Sequence, residues 1–379
     1  MLGSHRGLRR GRNQKTERRH RGYKRNFETK GRKHVMELAI ITEKKAISHM
    51  KVAQDIYNVL KTRCSCNLYD WEETKIPEKN ILFVATLLNT SLHYLSRFLP
   101  NKRIVLYATL EGEPILDPIA RRIADHVKIV AVSNFVKEMI QSVGLHCEDV
   151  VYHGIDMNDT QGDPRFREFL DTIQHHPSKP KTRKRKYLTV SGNMKRKGLD
   201  RLMVAHKLIE FNNKDALCIL HSGGGYVDTA QLADQLELSF GRFWLTNAFG
   251  LYDTYQMNTL YKFAQFYVQP SLTEGFGLPM AEALKHELPV IAIDAPPYNE
   301  IIQHKKTGIL IPVIKTTRER FLNRIVLLMK HYSVNDLAEA ISDLLMDKYR
   351  KRLKDNITKQ VKMRFDSSKT YPGILKHFE

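Results

Sequence analysis

Cysteine is scarce in this chain: four in 379 residues, at Cys64, Cys66, Cys147 and Cys218. They form no metal-site spacing and are too few for a disulfide scaffold, so a reducing, cytoplasmic setting is expected. Long apolar runs are also missing. Stretches such as Ile81 to Leu88 fall well short of the ~18 residues that span a bilayer, so no transmembrane helix is expected. The N-terminus is basic but has no apolar core behind it, so it does not read as a secretory signal. Acid is in deficit: 41 Asp plus Glu stand against 61 Lys plus Arg, a net charge of +20. What is there is ordinary for a folded protein, with 42% hydrophobic and 27% charged residues, which excludes a wholly disordered chain or a collagen. The length suggests two or three domains at ~150 residues each.

The positive charge is concentrated. Residues 1–34 hold 13 Lys and Arg against two acids, Glu17 and Glu28, a net +11. They contain almost no aliphatic side chains and are expected to be disordered, because they cannot bury enough surface to offset chain entropy. The segment reads two ways: an arm for nucleic acid or an anionic membrane surface, or a solvated extension ahead of Met36. A second run, Lys179 to Lys186, has six basic residues in eight.

From Met36 strand and helix patterns alternate. Near-continuous apolar strands (37–42, 80–85, 103–108, 128–132) are separated by helical spacings (48–61, 91–98, 117–125, 134–143). That pattern indicates a parallel sheet covered on both faces. It pauses over 157–186 and resumes with strands at 187–191, 216–221, 243–245, 266–269 and 290–293 and helices between them. The fold class is therefore α/β, with two doubly wound Rossmann-like domains facing across a cleft that holds the ligand. The expected division is a basic extension over 1–35, a first Rossmann-like domain over 36–180, a second over 181–345, and a helical segment over 346–379 that returns to the first domain.

The densest chemical signal is E-G-F-G-L-P-M-A-E, Glu274 to Glu282. It follows the strand 266–269. Gly275 and Gly277 leave amides open, and Pro279 suits the first turn of a helix. A helix N-terminus at this turn is an anion site. Acids beside an anion site make sense when they accept from sugar hydroxyls next to a phosphate. Glu274 is placed at the strand end and Glu282 in the first helical turn. The triple glycine Gly223–Gly225 lacks a following Gly-Lys-Ser/Thr and reads as a tight turn rather than a phosphate loop.

This E-x7-E string with its internal G-F-G-L-P resembles the signature of family-4 retaining glycosyltransferases of the GT-B fold. The likeness extends through Ala264–Ser271, Ser191-Gly192 to Lys197-Gly198, Thr307–Leu310, His153–Asp156 and Val132–Asn134. The resemblance implies that Glu282 binds the nucleotide ribose, Glu274 contacts the donor sugar, and Gly275, Phe276, Gly277 and Leu278 hold sugar and diphosphate. It implies that Lys197 stabilises the departing diphosphate and that Gly192, with Lys195 or Arg196, lines the phosphate side. Phe249-Gly250 would meet the base. It also implies no required metal; no Asp-x-Asp follows a strand, so basic residues do what Mg2+ does elsewhere. Two positions depart from the pattern. Asn193 stands where relatives place Arg, and Glu111 is the nearest replacement for a histidine of the first domain. His153 is read as structural.

The expected activity is hexose transfer from a UDP- or GDP-linked donor, such as a UDP-hexose or GDP-mannose, to a hydroxyl acceptor that is a glycolipid, glycan, protein or DNA. A peripheral position on the inner face of a membrane fits the basic charge. The alternative is a degenerate GT-B protein that binds nucleic acid or an anionic surface.

Overall fold

The computed structural model describes residues 36–173, 184–238 and 241–379. The expectations for 1–35 and for most of the second basic run lie outside these residues.

The N-terminal half carries strands β1 (Glu37–Thr42), β2 (Ser65–Asp70), β3 (Asn80–Thr86), β4 (Arg103–Thr109), β5 (Gly112–Pro114), β6 (Lys128–Ala131) and β7 (Asp149–Val150). Its helices are α1 (Ile47–Leu60), α2 (Asn89–Ser96), α3 (Pro118–Asp125), α4 (Asn134–Ser142) and α5 (Pro164–Ile173). The C-terminal half has β8 (Arg185–Val190), β9 (Ala216–His221), β10 (Phe243–Leu245), β11 (Phe266–Val268), β12 (Val290–Ile293), β13 (Gly308–Ile311), β14 (Val313–Phe321) and β15 (Ile325–Tyr332). Its helices are α6 (Leu199–Glu210), α7 (Thr229–Gln235), α8 (Thr254–Phe263), α9 (Leu278–Lys285), α10 (Tyr298–Ile301), α11 (Val334–Leu345), α12 (Asp347–Arg364) and α13 (Ser367–Thr370).

Two six-stranded sheets result, ordered β2-β1-β3-β4-β6-β7 and β10-β9-β8-β11-β12-β13, with every pair parallel. Helices cover both faces, so the central strands are buried from end to end; Leu38, Ile40, Leu82, Phe83, Leu188 and Ile291 have no exposed surface. Each such side chain removes apolar area worth about 1.5–3 kcal/mol. The strand order reverses beside β1 in the first sheet and beside β8 in the second. Ligand crevices form at such switch points, and the loops after β1, β3, β8 and β11 all meet there.

Local signals explain several boundaries. Asp117 accepts from the amides of Ile119 and Ala120 ahead of Pro118, which starts α3. Asp253 and Gln256 form a capping box on α8. The C-terminal residues return to the first sheet: Tyr371 donates to Gly154 O at 3.1 Å, and Arg103 to Phe378 O at 2.7 Å.

A third sheet, β14-β15-β5, is antiparallel and lies outside the strand–helix alternation of the sequence. Its hairpin turns at Leu322 and Asn323, both left-handed. β5 belongs to the N-terminal half, so this sheet joins the two halves covalently distant in sequence. Glu300, just after the start of α10, adds another tie. Its carboxylate accepts from the Asn134 and Phe135 amides, both at 2.8 Å, at the N-terminus of α4.

Candidate active site

Between the two halves lies a cavity of about 1110 Å³. Its floor is built from the loop between β11 and α9. Gly277 has φ 95°, a left-handed conformation that glycine adopts without strain, and it turns the chain into α9. At Gly275 a Cβ would sit 2.7 Å from Leu110 O, so glycine is required by the close approach of the N-terminal half's own backbone. Donors from around the site hold this loop. Ser133 Oγ donates to Gly275 O at 2.7 Å, Thr273 Oγ1 to Glu111 O at 2.7 Å, Tyr298 Oη to Ser271 O at 2.9 Å, and Tyr332 Oη to Pro270 O at 2.7 Å. Among the described residues, the amides of Gly275, Phe276 and Gly277 find no protein acceptor. They are donors without partners at a helix N-terminus, the arrangement that binds anions.

Charge is paired across this floor. Glu274 is only 6% exposed. It accepts from Lys197 Nζ at 2.6 Å, Arg196 Nη1 at 3.0 Å and Gln269 Nε2 at 3.1 Å. Arg196 also reaches Glu111 Oε1 at 2.7 Å, and so links the two halves. Burial alone would raise the Glu274 carboxyl, but Lys197 and Arg196 overcome it and hold the group at about 2. Burial also opposes the charge on Arg196, yet Glu111 and Glu274 raise it. Lys197 is pushed down, by burial first and then by Arg196. Two buried cations thus share one buried carboxylate, with Glu111 as the outer partner. The four charges balance, so the pull on an anion here comes from the open amides of 275–277.

The outer lobe is different. Glu282 accepts from Tyr261 Oη at 2.9 Å and pairs with Lys51 of α1 at 3.3 Å, across the cleft. Beside it Asp55 is pushed up to about 6, by burial first, with Glu282 and Asp156 adding to the shift. Phe249 stands on the rim with His221 and Tyr252; the last two stack at 4.7 Å.

Most residues singled out from the sequence converge. Glu111, Gly192, Arg196, Lys197, Phe249, Gly250, Glu274, Gly275, Phe276, Gly277, Leu278 and Glu282 all line the cavity. Two do not. Asn193 is turned away because its amide holds the 223–227 turn: Nδ2 donates to Gly223 O and Val227 O, and Oδ1 accepts from Val227 N. Lys195 reaches outward to Glu319 of β14 at 2.7 Å, so Arg196 is the cation of this pair that faces the cleft. Glu282 sits in the second turn of α9, not the first, because the helix begins at Leu278. His153, read from the sequence as structural, lies in the cavity wall. Lys51, His49, His221 and Tyr252 also line it. Their positions carry no recognisable motif; only the fold brings them here.

No helix among the described residues is long and apolar enough to cross a membrane. No group of three or more His, Cys, Asp or Glu among them has the arrangement of a metal site.

Residues 171–325 match the glycosyl transferases group 1 family. A protein of Sulfolobus islandicus rod-shaped virus 1, described as an uncharacterized glycosyltransferase, is 26% identical over 270 residues, 70% of this chain and 78% of the relative. Among solved structures, HepE from Anabaena, crystallised with UDP and glucose, superposes with a TM-score of 0.67 at 15% identity, over 90% of this chain and 99% of that one. Sucrose-phosphate synthase from Thermosynechococcus elongatus gives 0.68 at 15% identity, over 90% and 98%. The chain has the two-domain GT-B fold of these structures, and its segment 171–325 is similar to the group 1 glycosyl transferases.

Proposed function

We propose that this protein is a metal-independent, retaining hexosyltransferase of the family-4 type that uses a UDP- or GDP-linked donor. The observation that carries the reading is the buried Glu111–Arg196–Glu274–Lys197 network beneath the unpartnered amides of 275–277. In this reading the donor's diphosphate lies against Lys197, Arg196 and those amides. The ribose diol donates to Glu282, displacing Lys51. The nucleobase lies against the Phe249, His221 and Tyr252 rim. HepE has been crystallised with UDP-glucose, which favours UDP.

The reaction breaks the bond between the hexose C1 and the diphosphate oxygen and forms one from C1 to the acceptor oxygen on the same face. The acceptor's proton passes to the leaving diphosphate. Negative charge grows on that diphosphate, where Lys197 and Arg196 are already fixed. Donors positioned before the reaction lower the barrier because they need no reorganisation. The acceptor is a hydroxyl on a glycolipid, glycan, protein or nucleic acid, and the cationic charge of the chain suits an anionic surface beside it.

Lys197→Ala should reduce transfer by about 10²–10³-fold while nucleotide binding survives, the usual loss for a donor that stabilises transition-state charge. Anomeric configuration of the product, read by NMR, tests retention. Transfer at wild-type rate by Lys197→Ala would remove the reading.

A further inference from the structure

His153 is the cavity residue whose geometry says most about the substrate. It lies in the segment joining the halves and is 2% exposed. Its ring is fixed edge-on by Tyr107 at 5.4 Å and by Phe276 at 5.0 Å. Tyr107 Oη donates its one proton to Val151 O at 2.7 Å. The 3.1 Å contact between Tyr107 Oη and His153 Nδ1 must therefore be donated by Nδ1–H. The tautomer is thus set: Nδ1 carries the proton and Nε2 carries a lone pair. Nε2 has no protein partner among the described residues, and the ring lines the cavity. Burial, reinforced by nearby His49, lowers the ring to about 3 and keeps it neutral.

The same wall continues the chemistry. His49 Nε2 lies 3.2 Å from the Thr86 hydroxyl and 3.3 Å from that of Thr109. Glu111 closes the lobe, and its partner Arg196 and the neighbouring Lys197 are already bound to Glu274. The wall therefore offers acceptors and hydroxyls, with its cations engaged. That set suits a neutral polyhydroxyl ring and repels a carboxylated one.

We propose that His153 is a specificity residue of the transferred sugar: its Nε2 accepts a hydrogen bond from a hydroxyl of the hexose, and the lobe takes a neutral hexose in preference to a uronate. The inference rests on the nucleotide-sugar reading above. It is tested by calorimetry of UDP, UDP-glucose and UDP-glucuronate on wild type, His153→Phe and His153→Gln, with GDP and GDP-mannose in parallel. UDP alone should bind all three proteins equally. His153→Phe should lose about tenfold in affinity for UDP-glucose, the worth of one buried hydrogen bond, and His153→Gln, which keeps an acceptor near Nε2, should recover part of it. Wild type should prefer UDP-glucose to UDP-glucuronate. Equal weakening of UDP and UDP-glucose in the Phe variant would mark His153 as structural and overturn the inference. If that variant does not fold, equal wild-type affinity for the two sugars overturns it without any substitution. A wild type that binds none of these nucleotides removes the parent reading, and this inference with it.

Discussion

Glu274 shows how one residue serves both fold and site. Its carboxyl is held at about 2 by Lys197 and Arg196, below the ordinary 4.5. A depressed carboxylate adds stability that is present above the unfolded value and is lost as pH falls from about 4.5 towards 2. Glu274→Gln leaves two buried cations short of a partner, and breaking a buried pair in this way costs about 3–5 kcal/mol. The melting temperature of Glu274→Gln should therefore lie well below that of wild type at pH 7, and the gap should narrow as both are titrated towards pH 2. A constant gap across that range would contradict the assigned ion pairs. The string from Glu274 to Glu282 was legible in the sequence because its chemistry is local: glycines, a proline and two acids in nine residues. Asn193 and Lys195 were placed in the site by resemblance to the family's motif. A motif match does not give side-chain direction, and the 223–227 turn and Glu319 of β14 claim them instead. How the His153 ring is held was not legible, because Tyr107, which fixes it, lies 46 residues earlier.

At the scale of elements, apolar strands buried on both faces gave the parallel sheets away, and helices with side-chain caps gave their own boundaries. β2, β14 and β15 did not show themselves. β2 is an edge strand with polar residues such as Asn67 and Asp70. β14 is charged or hydroxyl-bearing throughout Lys315–Arg320, and its turn, Leu322-Asn323, lacks the glycine that usually marks a hairpin. Yet this hairpin supports the site. Lys330 N donates to Leu272 O at 2.9 Å and Tyr332 Oη to Pro270 O at 2.7 Å, both in the loop that carries Glu274. Tyr332→Phe leaves a buried carbonyl without its donor, at a cost of about 1–3 kcal/mol. It should lower both the melting temperature and the transfer rate. Arg318→Ala breaks an ion pair whose Arg side chain is 61% exposed, and such pairs contribute about 0–1 kcal/mol. It should change stability little. A larger loss from Arg318→Ala than from Tyr332→Phe, in thermal unfolding, would show that this ranking by burial fails.

Across the whole molecule, two switch points face each other and one cavity collects their loops. Glu300 helps to keep them there by capping α4 of the other half. Glu300→Ala should destabilise by about 0.5–2 kcal/mol, as for loss of a helix cap, while leaving UDP affinity unchanged, since Glu300 does not line the cavity. The residues assigned to the nucleotide and sugar all lie well after residue 34, so removing 1–34 and its +11 should likewise leave nucleotide binding intact. The measurement that tests the account most directly is thermal unfolding with UDP, GDP and their hexose conjugates, on wild type and Glu282→Ala. A nucleotide sugar at 100 times its dissociation constant should stabilise wild type by about 2.7 kcal/mol. That shift should appear with one nucleotide and vanish in Glu282→Ala. No shift with any of them, or an undiminished shift in the variant, would contradict a donor site built on Glu274, Lys197 and Glu282.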